Sequence, residues 1–443
     1  MSKPIGVGLL GLGTVGGGVA SRLLQQTELL SERAAGPLRL VKAVDLDLSR
    51  AAELGVPAEL VTNDFNEILS DPEIQIVVEV IGGLEPAGSL VLEALRRGKH
   101  VVTANKLLMA EKGRDILKQA RSSSKLILYG ASVAGGIPVL RTIRSGLVAT
   151  RVEFVMGILN GTCNFMLTRM NKDGMDFKSA LAAAQERGYA EADPTLDVNG
   201  TDTAQKIAIL AGVAFRRWVD WRRVFVEGIK NITPEDHEEA ARLGYLIKLL
   251  AIARTCGDRL DVRVHPTLIP QGYLLASVEE AFNAVYLRGE TSGPLLLYGL
   301  GAGRWPTACA VLSDVITAAR YERGIRVEST GVEIDYSKQA GIVPMDDVAC
   351  YHFIRLRLGG ETGALARVTA VLAEHDIGIA SVSNRSGGEF VLLTREVKES
   401  SMRASAVCLR ALDCVKTVHS IIRVEERRNL PREPEIQVYP NKS

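Results

Sequence analysis

Lys3-Pro4-Ile5-Gly6-Val7-Gly8-Leu9-Leu10-Gly11-Leu12-Gly13-Thr14-Val15-Gly16 reads as a buried first strand running into a glycine-rich turn, and Val19, Ala20, Leu23 and Leu24 continue at helical spacing. A G-x-G-x-x-G that leaves an apolar strand and opens a helix has the context of a dinucleotide-binding turn. Gly11 allows the tight bend, Gly13 lets a pyrophosphate approach the backbone, and Gly16 permits close helix-on-strand packing. Thr14 and Val15 lie at the positive helix end, where the phosphates sit. The next strand, 38–44, ends at Asp45. A carboxylate there accepts hydrogen bonds from adenosine ribose hydroxyls and repels a 2′-phosphate, which favours NAD over NADP. Lys42 and Arg50 lie close enough in sequence to leave NADP open.

Outward from this turn, apolar runs alternate with helical patterns: 76–80, 91–97, 100–103 and 126–129. That alternation predicts an α/β fold, a doubly wound parallel sheet of Rossmann type over 1–144. Ile81-Gly82-Gly83 and Thr103-Ala104-Asn105-Lys106 follow strands directly, so they face the nicotinamide half of a cofactor. A second, mixed α/β domain is expected over 145–320, with the helical run 311–319 packing back on the first domain. Residues 321–349 are polar with little periodicity and read as a linker. The order strand 351–358, helix 364–374, strand 377–385, strand 389–395, helix 400–411, strand 415–424 predicts a ferredoxin-like βαββαβ domain over 350–425. A charged tail, 426–443, follows.

The second informative stretch is Gly188-Tyr189-Ala190-Glu191-Ala192-Asp193-Pro194-Thr195-Leu196-Asp197-Val198-Asn199-Gly200-Thr201-Asp202-Thr203-Ala204-Gln205-Lys206. It holds four carboxylates and one lysine in nineteen residues. Gly188, Pro194 and Gly200 punctuate it as turns, and Thr201 is a candidate cap for a helix that sets Asp202 and Lys206 one turn apart. An ordinary surface ion pair would have the same spacing. The dinucleotide turn tips the reading toward a lysine that moves a proton.

Composition excludes several classes. The chain has 443 residues, 47% of them hydrophobic and 24% charged, ordinary for a globular protein of two or three domains. A net charge of +1, with basic and acidic residues interspersed, argues against nucleic-acid binding. Cysteines 163, 256, 309, 350, 408 and 414 have no C-x-x-C spacing, so neither a zinc site nor a disulfide framework is indicated. They read as reduced core residues of a cytoplasmic protein. The apolar N-terminal run is broken by glycines and is neither a signal peptide nor a membrane span.

Together these residues resemble homoserine dehydrogenase from about Ile5 to Arg320, followed by an ACT domain at about 350–425. The landmarks are the first turn, Thr103-Ala104-Asn105-Lys106, Ala131-Ser132-Val133-Ala134-Gly135-Gly136-Ile137-Pro138, Gly157-Ile158-Leu159-Asn160-Gly161-Thr162-Cys163-Asn164, the 188–206 stretch, and Ser292-Gly293-Pro294-Leu295-Leu296-Leu297-Tyr298-Gly299-Leu300-Gly301-Ala302-Gly303. The resemblance implies reversible NAD- or NADP-dependent interconversion of L-aspartate 4-semialdehyde and L-homoserine, on the way to threonine, methionine and isoleucine. It makes Lys206 the general acid/base and Lys106 a holder or proton donor of the substrate. Glu191, Asp202 and Asp197 bind homoserine. Thr103, Asn105, Lys106, Gly188, Gly301 and Gly303 join the first turn and Asp45 around the cofactor. It also implies a sodium ion on backbone carbonyls of Val133, Gly135 and Ile137, although Gly130 stands where a glutamate is usual.

Gly359-Gly360-Glu361-Thr362 departs from the usual ACT ligand turn, which puts allosteric threonine in question more than the fold. Two rivals stand beside this reading: a semialdehyde dehydrogenase working through a Cys163 thioester, and a non-catalytic amino-acid-binding regulator. Because the first strand begins at residue 4 or 5, a monofunctional enzyme is expected. A chain stopped near Gly341 is expected to keep the reaction if its remaining interface supports folding. Exposed ACT edges imply a homodimer or homotetramer.

Overall fold

A computed structural model describes residues 3–325 and 334–425. Its first sheet is built from β1 (Ile5–Leu10), β2 (Leu38–Val44), β3 (Val61–Thr62), β4 (Ile74–Glu79), β5 (His100–Thr103) and β6 (Ile127–Leu128). The order is β3-β2-β1-β4-β5-β6, and every pairing is parallel. β1 is buried along its whole length, as a strand covered on both faces must be. The strand order reverses between β1 and β4, so the crevice for a dinucleotide opens at the carboxyl ends of these two strands.

Helices α1 (Thr14–Gln25), α2 (Ala87–Arg96) and α3 (Lys106–Ser122) follow the first, fourth and fifth strands. α4 (Gly161–Asp173), α5 (Thr201–Phe215) and α6 (Pro234–Arg242) belong to the middle of the chain. α7 (Arg304–Glu322) returns to the first domain as expected: Ala308, Val311, Leu312 and Val315 share a core with Val7, Leu9 and Val19.

The second sheet runs through the rest of the molecule. Its strands are β7 (Val152–Ile158), β8 (Tyr245–Cys256), β9 (Arg259–Pro270), β10 (Phe282–Gly289), β11 (Gly293–Leu300), β12 (Ala349–Leu358), β13 (Ile379–Asn384), β14 (Glu389–Thr394) and β15 (Val415–Val424). The order is β11-β10-β7-β8-β9-β15-β12-β14-β13. With α8 (Ala364–Glu374) and α9 (Glu399–Ala411), the strands β12 to β15 form a βαββαβ unit with the ferredoxin-like order fourth-first-third-second. This unit does not hang from a tether. β15 pairs in parallel with β9, Thr267 opposite Arg423 and Leu268 opposite Val424.

Buried charges seal this junction. Arg263 donates to Glu425 at 2.9 Å and also pairs with Asp261; Arg423 donates to Glu227 at 2.6 Å and pairs with Glu399. Nearby, Arg355 Nε donates to the fully buried Asp236 of α6 at 2.8 Å.

Three local expectations need correction. Of the stretch read as a linker, 326–333 lie outside the described residues, but Asp335–Gln339 form a strand beside Arg217–Trp218. Val343, Met345 and Val348 then pack with Cys350 as a small core. Backbone pairing orders this polar run where apolar periodicity is weak. Thr201 does not cap α5; Gly200, at φ +87°, is the N-cap, and Asn199 Oδ1 accepts from Thr201 N. Cys163, Cys350 and Cys414 are buried as read, whereas Cys256, Cys309 and Cys408 are exposed. The tail, 426–443, lies outside the described residues.

Candidate active site

Gly11, at φ +98°, makes the bend after β1, and a Cβ on Gly16 would lie 1.9 Å from the Gly11 carbonyl oxygen. Only glycine at 16 lets α1 start this close to the strand. A Cβ on Gly13 would meet nothing within 4 Å. No side chain caps Gly13 at the head of α1, so the first-turn N–H groups at Thr14 and Val15 face an open approach suited to a pyrophosphate. Asp45 stands at the end of β2, where its Oδ2 accepts from Leu12 N at 2.6 Å and its Oδ1 from Asp47 N at 2.9 Å. It braces the turn while keeping lone pairs for a ribose. Arg50 lies 4.0 Å from Asp45, whereas Lys42 is drawn off to Glu67 at 3.2 Å.

A relay of hydrogen bonds links this turn to the lysines. Val80 N donates to Leu10 O at 3.0 Å, and Glu79, fully buried, accepts from Ile81 N, Gly82 N and Thr103 Oγ1. Thr103 Oγ1 accepts from Asn105 N at 2.9 Å; Asn105 donates to Gly83 O and caps α3 by accepting from Leu108 N. Lys106 is the first residue of that capped helix. Glu79 was not singled out by sequence reasoning. The available signal was a lone carboxylate inside the apolar run 76–80.

Across the crevice, Asp202 carries both lysines. Lys206 Nζ donates to Asp202 Oδ2 at 2.7 Å and to Leu159 O at 2.8 Å, and Lys106 pairs with Asp202 Oδ1. Asp202 is 3% exposed, whereas the Lys106 side chain is 41% exposed. Asn160 Nδ2 donates to Asp202 Oδ2 at 2.9 Å and to Asp197 Oδ1 at 2.7 Å. Both oxygens of Asp202 are therefore engaged inside the protein. Among the candidate carboxylates, Glu191 is exposed and Asp197 half-buried.

The electrostatics follow from this packing. Burial pushes the Lys206 ammonium below its ordinary value, with Lys106 adding repulsion and Asp202 opposing both. For Lys106 burial acts in the same sense, but the charges of Asp202, Asp197 and Glu191 outweigh it and the net direction is upward. Burial would raise Asp202, yet the two lysines hold it well below the carboxylate range. Asp197 is raised, by burial first and then by Asp202. Burial also drives the Cys163 thiol far up, and its Sγ donates to Asp197 O at 3.2 Å. That is the environment of a thiol, not of the thiolate a thioester route needs.

The other expected residues fall around this centre. Gly188, at φ +72°, is exposed at the entry to the acidic loop. Thr162 Oγ1 ties the loop to α4 through Tyr189 O at 2.5 Å. Gly303 is the N-cap of α7, and Gly301 abuts the 133–137 turn, where a Cβ on Gly135 would come 2.3 Å from Gly301 O. In that turn Ile137 O already accepts from Val139 N at 2.8 Å. Among the described residues no group of three or more His, Cys, Asp or Glu could hold a metal, and no helix is long and apolar enough to cross a membrane.

A fold that brings a dinucleotide turn and a pair of lysines sharing one buried carboxylate to one crevice defines a nicotinamide-dependent oxidoreductase. Residues 11–130 match the family described as homoserine dehydrogenase, NAD binding domain, and residues 138–316 the one described as homoserine dehydrogenase. The homoserine dehydrogenase of Neisseria gonorrhoeae is 38% identical over 431 residues, covering 96% of this chain and 99% of its own. The crystal structure of a homoserine dehydrogenase from Thiobacillus denitrificans superposes with a TM-score of 0.91 at 43% identity, covering 96% of this chain and 99% of that one. A hyperthermophilic archaeal homoserine dehydrogenase in complex with NADPH shares the fold at 24% identity, with a TM-score of 0.61 over 71% of this chain and 97% of its own. The chain belongs to the homoserine dehydrogenase family. Its reaction is the nicotinamide-dependent interconversion of L-aspartate 4-semialdehyde and L-homoserine.

Proposed function

We propose that Lys206 exchanges the proton at the substrate oxygen and that Lys106 binds and polarises the same end of the substrate. The bound nicotinamide supplies or accepts the hydride. In reduction, a protonated Lys206 gives its proton to the oxygen that becomes the homoserine hydroxyl; in oxidation, the neutral amine takes it back. Glu191 and Asp197 receive the substrate ammonium. Asp202, already holding two lysines, acts on homoserine through them. The observation that carries this reading is the sharing of Asp202 between Lys206 and Lys106. Lys206→Ala is expected to lower turnover about 10²–10⁴-fold while dinucleotide affinity stays near wild type. Retention of more than roughly half the turnover would reject Lys206 as the proton carrier.

NAD is proposed as the preferred cofactor, on the strength of Asp45; the Arg50 guanidinium at 4.0 Å leaves NADP usable. The division into 1–144, 145–320 and 350–425 is proposed with the last unit as an ACT domain sensing threonine, a reading supported by its βαββαβ order. Threonine inhibition competitive with homoserine would assign the effect to the active site instead. A sodium ion on the Val133, Gly135 and Ile137 carbonyls is also proposed, to be tested by sodium titration of activity. The assembly proposed is a dimer or tetramer through the open sheet edges β11 and β13, where Tyr298 is 55% and Leu300 45% exposed.

A further inference from the structure

Asn160 caps α4, its Oδ1 accepting from Cys163 N at 2.8 Å. Serine, threonine and aspartate serve that purpose about as well. None of them offers two N–H donors on one atom. At Asn160 that nitrogen reaches Asp197 Oδ1 at 2.7 Å and Asp202 Oδ2 at 2.9 Å, in a side chain buried to 5% exposure. The oxygen it reaches on Asp202 is the one that accepts from Lys206, and the carbonyl just before it, Leu159 O, is the other acceptor of Lys206. Two adjacent residues thus fix the ammonium directly and through its counterion.

We propose that Asn160 is a positioning residue of the reaction: its one amide nitrogen clamps Asp197 and Asp202 together and so holds Lys206 in line with the substrate oxygen. The inference rests on the reading of Lys206 as proton carrier. Without the clamp, two neighbouring carboxylates repel each other and the shared one can swing away from the lysine. The titratable groups facing Lys206 are Asp202 on its own helix, Lys106 from α3, Asp197 from the turn before α5 and the Cys163 thiol from α4. Asn160 is neutral, and its influence on a pH profile comes through Lys206: the amide, turned on Asp197 and Asp202, offsets part of the carboxylate charge that favours the lysine's ammonium form.

The test compares full-length Asn160→Ser and Asn160→Asp with wild type in homoserine oxidation. Serine retains the helix cap and lacks the amide; aspartate also retains the shape. In Asn160→Ser, kcat is expected to fall on the order of 10²-fold, as for a misplaced catalytic group, with KM for the dinucleotide unchanged. The acid limb of the kcat profile, which in this direction reports loss of the Lys206 proton, moves to higher pH, because the amide no longer offsets the carboxylate charge that favours the ammonium. Asn160→Asp moves that limb in the same direction and farther. An Asn160→Ser enzyme with kcat within about twofold of wild type and an unmoved limb overturns the clamp and leaves a helix cap. Lys206→Ala measured alongside separates the two claims: undiminished turnover there removes the proton-carrier reading, whatever Asn160 does.

Discussion

Lys206 is a lysine with only 12% of its side chain exposed, and its two partners are a carboxylate and a carbonyl. With its ammonium form disfavoured by burial, it exchanges protons below the ordinary lysine range. Homoserine oxidation needs the neutral amine and reduction needs the ammonium. Initial rates in the two directions should therefore show opposite pH trends over one span, oxidation rising and reduction falling; parallel trends would remove Lys206 from the proton path. Glu191→Ala should raise KM for homoserine far more than it lowers kcat, since Glu191 is exposed and can meet an ammonium. Asp45→Ala should narrow the preference for NAD over NADP in kcat/KM, and a wild-type enzyme already favouring NADP would overturn that assignment. At this scale the sequence discloses the Asp202–Lys206 pair because both lie on one helix. The approach of Lys106 and the grip of Asn160 are long-range contacts, and no spacing in the chain encodes them.

Elements whose pattern is local were the legible ones. The β1 strand and its turn and the alternation of β12 to β15 each carry their own apolar period or punctuation. Residues 335–339 carry neither, since their order comes from the Arg217–Trp218 strand beside them. The α1–β1 contact gives a test: Gly16→Ala puts a methyl 1.9 Å from the Gly11 carbonyl, so the helix must back away. Overpacking of this kind costs about 1–3 kcal/mol. A lower thermal midpoint together with weakened dinucleotide binding is expected; wild-type affinity in this variant would mean that helix position does not govern the phosphate turn.

For the molecule as a whole, the junction between β9 and β15 changes what truncation should do. Stopping the chain after Gly341 uncovers Arg263 and Asp236, leaving Arg263 with Asp261 but without Glu425, and Asp236 without its cation Arg355. The shortened protein should fail to fold cooperatively, seen as protease sensitivity and loss of a sharp thermal transition. A cooperative, active fragment would show the junction to be dispensable. The same cluster makes stability fall in acid. Burial alone would raise Glu399, but His352 and Arg423 hold its carboxyl down at about 2. Between its unfolded value of 4.5 and about 2 the unfolded chain binds the extra proton, so this contribution is complete above the window and is lost as pH falls through it. Replacing Glu399 by glutamine should flatten that part of a pH–stability curve.

The parallel pairing of β15 with β9 also has a meaning in time. On the ribosome, β9 emerges long before residues 415–424 exist, and Thr267 and Leu268, paired with β8 on one side, then have no strand on the other. Any intermediate made during synthesis carries an open edge next to apolar strands, the kind of surface that recruits chaperones or like chains. The site lysines are translated well before the strand that closes the sheet behind them, and until residues 415–424 are made that edge must be shielded in some other way.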